Sequence, residues 1–157
     1  MPDEPPVVDP DALDARQPRA GATVHGVVLA AGQSRRFGDR NKLLVERDGE
    51  PIVRQAVQTL LGAGLDEVTV VVGHEAEQVR IALADLDVAF VTNEHHREGQ
   101  GTSVAVGVAA ARETGAEAVL IALGDMPAVD SESIDRLLAA YRVGAGSALA
   151  AAFEGQR

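Results

Sequence analysis

The strongest constraint on the fold is a regular alternation of short apolar runs and amphipathic segments that begins at Val24. Continuous apolar runs are typical of strands buried on both faces of a parallel sheet. The runs with this character are Val24–Ala31, Val68–Val72, Val88–Thr92, Ala118–Leu123 and, near the C-terminus, Ser147–Phe153. They predict a sheet whose strands are separated along the chain by helices.

Helical spacing of apolar residues and helix-end signals occur between these runs. The predicted helices begin near Pro51, Glu75, Thr102 and Asp130, and the helix from Thr102 extends to Arg112. Pro51 suits a first helical turn, and Gly62 with Gly64 ends the first helix. Strands and helices that alternate in this way form βαβ units with right-handed crossovers. The predicted fold class is therefore α/β, a mostly parallel sheet with helices on both faces.

The N-terminal segment, residues 1–21, has a different composition. It is rich in Pro, Asp and Glu and has few residues to bury, which predicts a disordered acidic tail. It also lacks the basic and then apolar pattern of a signal peptide. We expect one folded domain, residues 22–157, in a cytoplasmic protein.

Charge and cysteine content exclude several classes of function. The formal net charge is −10, whereas binding to nucleic acid or to an anionic membrane depends mainly on Lys and Arg. The chain has no Cys, which excludes disulfides, thiolate catalysis and cysteine-ligated zinc. No apolar run approaches the ~20 residues of a membrane span. An acidic surface is ordinarily a solvating face, and it also suits a high-salt cytoplasm.

Candidate ligand-binding loops follow from the topology. Open α/β sheets bind ligands at the carboxyl ends of their strands, where the loops after each strand meet. The loops predicted at this edge are 31–41, 73–74, 93–102 and 124–127. The unusual clusters of the sequence lie in or beside these loops.

The first cluster runs from Leu29 through Gly32 to Gly38 and continues to Lys42, the single lysine of the chain. Turns at glycine can direct successive backbone N–H groups towards an anion. Arg36 and Lys42 can add a planar fork and a mobile point charge for phosphate oxygens. The pattern is neither a P-loop nor a dinucleotide fingerprint. An ordinary βα turn with surface arginines is the alternative.

The second cluster is Gly124-Asp125-Met126-Pro127 at the end of an apolar strand. A carboxylate at this edge can bind a hard cation such as Mg²⁺, which completes its coordination shell with waters and phosphates. Asp is also frequent in turns and caps, so a structural role is the alternative when Asp125 is taken alone. Opposite a phosphate loop on the same edge, the metal interpretation is favoured.

The third cluster extends from Asn93 to Ser103 and contains Gly99, Gly101 and Thr102 at a predicted helix start. Small residues allow a ligand to approach the backbone, and hydroxyl groups can read a base or a ribose. A plain helix cap is the alternative. The adjacent His95 and His96 lack further ligands at suitable spacing and are interpreted as loop residues.

Together these motifs resemble the molybdenum-cofactor nucleotidylyltransferase family. The matching segments are Leu-Ala-Ala-Gly-x-Ser-x-Arg-Phe-Gly followed by Lys42, then Gly99-Gln-Gly-Thr-Ser-Val-x-x-Gly107, and Gly124-Asp-Met-Pro. The wider relatives are sugar-phosphate and methylerythritol-phosphate nucleotidylyltransferases. Leu-Ala-Ala-Gly resembles the cytidylyl branch, where the guanylyl branch has Leu-Ala-Gly-Gly. The resemblance therefore implies a Rossmann-like nucleotide-diphospho-sugar transferase fold and favours CTP over GTP.

The activity implied by the resemblance is nucleotidyl transfer. A phosphorylated pterin such as molybdopterin would attack the α-phosphate of the NTP, and pyrophosphate would leave. The catalytic residues implied are Arg36 and Lys42, and the metal ligand is Asp125, holding Mg²⁺. The implied nucleotide-binding residues are Leu29, Ala30, Ala31, Gly32, Gln33, Ser34, Gly38, Asn93, Gly101 and Ser103.

The sequence departs from the family pattern at its C-terminus. Family members usually continue beyond Glu154–Arg157 with elements that build the acceptor side and a second acidic magnesium position. The resemblance therefore implies a nucleotide half without the acceptor half, with an exposed sheet edge that favours a homo-oligomer or a complementing chain.

Three alternatives stay open. One is a non-catalytic or split nucleotide-binding module. Another is a sugar-1-phosphate nucleotidylyltransferase, although those relatives typically place Pro before the Lys and this chain has Asn41. A nicotinamide dehydrogenase is the third, but the sequence lacks its glycine fingerprint.

Overall fold

The computed structural model describes residues 20–33, 41–126, 129–146 and 149. The chain divides into two compact units. One unit is Thr23–Ser131, and the other comprises Met1–Ala22 with Glu132–Arg157. Most of the predicted N-terminal tail and the predicted strand Ser147–Phe153 lie outside the described residues.

The described elements follow the predicted alternation. In chain order they are β1 (Val24–Ala30), a 3-10 helix (Lys42–Leu44), β2 (Glu46–Arg47), β3 (Glu50–Pro51), α1 (Ile52–Leu61), β4 (Glu67–Val72), α2 (Ala76–Ala82), β5 (Ala89–Thr92), a 3-10 helix (His96–Glu98), α3 (Gln100–Glu113), β6 (Ala118–Leu123) and α4 (Ser131–Arg142).

The main sheet of the unit Thr23–Ser131 has four strands in the order β5-β4-β1-β6. Each neighbouring pair is parallel, with Val28 of β1 opposite Val70 of β4 and Ala122 of β6. All seven residues of β1 are buried, as a central strand of a parallel sheet requires. These features confirm the predicted α/β class with a parallel sheet.

Side chains of successive strand residues point to opposite faces of the sheet, and helices pack against both faces. Val27, Leu29 and Val71 form an apolar cluster with Ala111 of α3 on one face. On the other face, Gly26 leaves room for Leu60 of α1, whose Cδ2 atom would be 3.0 Å from a Cβ at that position. The cores on both sides therefore consist of small aliphatic residues at close distance.

A β-hairpin with a two-residue turn lies between β1 and α1, and the sequence analysis did not predict it. β2 and β3 pair antiparallel through Glu46–Pro51 and Arg47–Glu50, and the turn residues Asp48 and Gly49 have φ angles of 55° and 86°. Positive φ at both central positions is the geometry for which Asp-Gly is favoured in hairpins. The Asp48-Gly49 pair was the sequence signal for this hairpin.

The helix α4 begins directly after Asp130, as the sequence predicts. Ile134 and Leu138 are buried one turn apart, and the side chains of Glu132 and Arg136 form an i, i+4 ion pair at 2.8 Å on the exposed side. Among the residues that the structure describes, no helix has the length and apolar character needed to cross a bilayer.

Arg54 joins α1 to the C-terminal end of α2. The Arg54 guanidinium of α1 donates to both carboxylate oxygens of Asp85, at 2.6 and 2.7 Å, and to the carbonyl oxygen of Ala82 at the end of α2. This bidentate hydrogen bond lowers the pKa of the Asp85 carboxyl from 3.8 to about 2. Ionised Asp85 is therefore favoured in the folded state.

We expect Asp85→Asn to reduce the free energy of unfolding at neutral pH and to have a much smaller effect near pH 2. A pKa lowered by folding stabilises the protein above the unfolded value of 3.8, and this contribution is lost as the pH falls towards about 2. Urea unfolding of both proteins between pH 6 and pH 2 measures the difference. Asp87→Asn is the matched control, and a difference that does not shrink below pH 3.8 would contradict the interpretation.

Gly107 sets the distance between α3 and the sheet. A Cβ at this position would overlap the side chain of Val27 and would lie 3.0 Å from Cγ2 of Val71. We expect Gly107→Ala to lower the free energy of unfolding by about 1–3 kcal/mol through overpacking. Gly101→Ala, in the same helix with open space around its Cβ, should change the free energy of unfolding by less. Equal effects in the two variants would contradict this prediction.

Candidate functional site

A cleft of about 620 Å³ lies at the carboxyl ends of β1 and β6 and at the start of α3. Its lining residues are Leu29, Ala31, Gly32, Gln33, Lys42, Leu43, His96, Arg97, Gly99, Gln100, Ser103, Leu123 and Asp125. The three sequence clusters therefore meet at one cleft, at the sheet edge where the topology predicts a ligand.

The loop after β1 forms one wall of the cleft. Ala31 is buried, and its carbonyl oxygen accepts a hydrogen bond from the backbone N–H of His74, with 3.3 Å between N and O. Gly32 and Gln33 continue this wall, and a Cβ at Gly32 would meet no atom within 4 Å. A ligand can thus approach the backbone here closely. Ser34, Arg36 and Gly38 lie outside the described residues.

The sole lysine and the predicted metal ligand contact each other across the cleft. Lys42 Nζ is 3.1 Å from Asp125 Oδ2, and the two side chains are 40% and 38% exposed. Asn41 positions Lys42, because its Oδ1 accepts the N–H of Leu43 at 3.1 Å and caps the 3-10 helix. The N–H of Gly124 donates to Leu29 O at 2.9 Å and fixes the residue before Asp125.

Asn93 organises the opposite wall without lining the cleft. It is fully buried, and its Nδ2 donates to Thr102 Oγ1 and to Ser103 Oγ, at 2.9 Å in each case. Its Oδ1 accepts the N–H of His95 at 2.9 Å. The amide of Asn93 is thus engaged within the protein. In this structure its contribution to the cleft is to hold Ser103, which does line it.

The start of α3 faces the cleft with backbone rather than with a side-chain cap. Gly99 precedes the helix with a φ of 120°, a conformation that favours glycine, and makes no side-chain capping bond. Gly99, Gln100 and Ser103 line the cleft, whereas Gly101 is exposed beside it. The N-terminal N–H groups of a helix and its dipole favour an anion at such a position.

His96 and Arg97 are cleft residues that the sequence interpretation assigned no role. The ring of His96 lies with its Nδ1 3.2 Å from the carbonyl oxygen of Asn93. A Cβ at Gly73 would approach Cβ of His96 to 2.8 Å, so the glycine is needed for this packing. The contact joins the loops after β4 and β5, and no residue spacing in the sequence indicates it.

Asp125 is the residue that the family resemblance implies as a Mg²⁺ ligand. Within residues 20–33, 41–126 and 129–146, no three His, Asp or Glu side chains are grouped as a metal site. Mg²⁺ is commonly bound by one or two carboxylates together with substrate phosphates and waters. A single half-exposed carboxylate at the edge of a cleft fits this second type of site. The residues therefore fit a metal that arrives with a phosphate ligand.

A family model matches residues 26–157, and its description is a MobA-like NTP transferase domain. The chain belongs to this family. The family and its structural neighbours have the nucleotide-diphospho-sugar transferase fold, which agrees with the predicted fold.

Two curated relatives match about three quarters of this chain. Nicotine blue oxidoreductase of Paenarthrobacter nicotinovorans is 37% identical over 122 residues, which cover 77% of this chain and 58% of the relative. The bifunctional protein GlmU of Agrobacterium fabrum is 38% identical over 130 residues, covering 78% of this chain and 27% of the relative. The chain thus spans little more than half of the first relative and about a quarter of the second.

Among solved structures, a nucleotidyl transferase from Methanothermobacter is similar in both sequence and fold. It shares 34% identity and a TM-score of 0.65, over 74% of this chain and 56% of that structure. The structural match therefore supports the family assignment over about three quarters of the chain.

We expect Asn93→Ala to lower the free energy of unfolding by about 1–3 kcal/mol per buried group left unpaired. The change removes both donors to Thr102 and Ser103 and the acceptor for the N–H of His95. Thermal or urea unfolding measures the effect, and the neighbouring exposed Glu94→Ala is the matched control. A change no larger than that of Glu94→Ala would show that Asn93 does not organise this wall.

Proposed function

We propose that this chain binds a nucleoside triphosphate in the cleft and transfers its nucleoside monophosphate to a phosphorylated acceptor, with release of pyrophosphate. The observation that carries the proposal is the meeting of Lys42 and Asp125 across a cleft bordered by the start of α3. A cation, a carboxylate and the positive end of a helix dipole are groups suited to a metal–triphosphate complex.

The backbone is proposed to hold the triphosphate. Gly32 and Gln33 offer an open wall after β1, and the first N–H groups of α3 face it from the opposite side. Lys42 would place a positive charge on the phosphate oxygens between these walls. Leu29, Ala30 and Ala31 fix the wall from β1, and the resemblance adds Arg36, Ser34 and Gly38 to the cradle. Nucleotidyl transfer needs this positioning and charge neutralisation more than a protein nucleophile.

Asp125 is proposed to hold Mg²⁺ together with oxygens of the triphosphate. Nucleotidyltransferases of this family commonly use divalent metals. When bound, the metal would neutralise negative charge on the phosphates. Asp125 and Lys42 would together position the triphosphate. Its α-phosphate would then be aligned with the acceptor. Asn93 keeps Ser103 in place at the base side, and the exposed Gly101 allows close approach of the nucleotide.

CTP is the favoured nucleotide, and molybdopterin is the proposed acceptor. The nucleotide follows from the resemblance of the Leu-Ala-Ala-Gly segment to the cytidylyl branch, and the acceptor follows from the resemblance to the molybdenum-cofactor nucleotidylyltransferase family. A sugar 1-phosphate is the alternative acceptor, as the wider resemblance to sugar-phosphate nucleotidylyltransferases implies. Nicotine blue oxidoreductase supports a redox alternative that would use the same fold.

The binding test is calorimetry with CTP and with GTP in the presence of Mg²⁺. We expect wild-type protein to bind CTP more tightly than GTP, and Lys42→Ala and Asp125→Asn each to weaken binding by about 10-fold or more, since each removes a charge-assisted contact. Asp87→Asn, at the opposite end of the sheet, is the matched control for loss of a carboxylate. Unchanged affinity in both cleft variants would overturn the site.

Turnover separates the candidate activities. We expect pyrophosphate release when CTP is mixed with a molybdopterin acceptor, and parallel reactions contain a sugar 1-phosphate or a reduced nicotinamide cofactor with a dye. Pyrophosphate release with the sugar 1-phosphate but not with molybdopterin would show that the acceptor is a sugar phosphate rather than a pterin. Oxidation of the nicotinamide without pyrophosphate release would replace nucleotidyl transfer by a redox function.

A further inference from the structure

We propose that the Lys42–Asp125 ion pair is a latch that keeps a bare divalent cation out of the cleft and admits the metal together with a triphosphate. The inference rests on the proposed function and adds a rule for how the site is loaded. It assigns to the same two residues a second role, which they perform before the nucleotide binds.

The ion pair is built by two separately anchored segments. Lys42 begins a 3-10 helix that is capped by the Asn41 side chain. Asp125 follows Gly124, whose N–H is bonded to the end of β1 and whose Cβ position is closely bordered by Leu43. These anchors place Nζ and Oδ2 3.1 Å apart although the residues are 83 positions apart in sequence. The contact is therefore set by the fold.

A metal ion and the Lys42 ammonium compete for the same carboxylate. A divalent cation that binds Asp125 alone must displace an ammonium group from Oδ2, and the displaced positive charge stays close to the metal. Like charges at such distances repel measurably even when water screens them. Both groups are about 40% exposed, so the repulsion is moderate rather than prohibitive.

A triphosphate removes this conflict. Its oxygens offer a new partner to Lys42 and additional ligands to the metal, so that both cations are neutralised at once. Binding of the metal and of the triphosphate is then positively coupled, and the coupling is reciprocal by thermodynamic necessity. The site would load with the metal–nucleotide complex in preference to either component.

The experiment measures Mn²⁺ binding in the absence of nucleotide, by electron paramagnetic resonance of the free ion. We expect Lys42→Met to bind Mn²⁺ about 3- to 10-fold more tightly than the wild type, because the competing ammonium is gone. Lys42→Arg keeps the charge and should stay close to the wild type. Arg97→Met removes another positive charge from the cleft lining and should give a smaller gain than Lys42→Met. Asp125→Asn combined with Lys42→Met should abolish the gain.

Equal or weaker Mn²⁺ affinity in Lys42→Met would overturn the latch, as would a gain that survives the Asp125→Asn change. CTP titrations of the same proteins distinguish this failure from that of the proposed function. Intact Mn²⁺-dependent CTP binding by the wild type, without the Mn²⁺ gain in Lys42→Met, removes the latch and leaves the function. A Mn²⁺ gain in a protein that binds no nucleotide supports the exclusion of bare metal and overturns the function.

Discussion

The candidate site depends on the hydrogen bonding of β1 between two parallel neighbours. Val28 and Leu29 pair with β4 on one side and with β6 on the other, and this register brings the ends of three strands to one level. Beyond the last ladder positions, Leu29 O accepts the N–H of Gly124 and Ala31 O accepts the N–H of His74. The loops that follow β1, β4 and β6 are therefore tied to a single buried strand, and the cleft lies where they meet.

Charge is distributed unevenly over this scaffold. The chain is strongly acidic overall, yet its only lysine lies at the cleft and contacts the carboxylate that follows β6. A buried asparagine on the far wall uses its amide to hold the start of α3 rather than to contact a ligand. The site thus combines the start of a helix with the Lys42 ammonium and the Asp125 carboxylate, a combination suited to phosphate chemistry.

The sequence was sufficient for the four strands of the parallel sheet and the four α-helices that the structure describes, and for the loops that approach each other. Strand β6 was predicted with its observed bounds, because a continuous apolar run between polar turns has few other structures available. The contact between Lys42 and Asp125 was harder to predict. It joins positions 83 apart in the sequence and depends on strand order and register, which local patterns do not specify. Asn93 was predicted as a nucleotide-binding residue, whereas in the structure it is buried and does not line the cleft, because local sequence does not report which way a side chain points. The hairpin at Asp48-Gly49 had a local signal that the prediction did not use.

The central claim is that a metal–triphosphate complex binds between the loop after β1, the start of α3 and Asp125. The most direct measurement is the change in backbone amide NMR shifts on addition of a non-hydrolysable CTP analogue with Mg²⁺. The account predicts that the largest changes fall on Gly32, Gln33, Gly99–Ser103 and Asp125. Changes concentrated at the opposite end of the sheet, around Asp66 and Asp87, or no changes at saturating analogue, would contradict it.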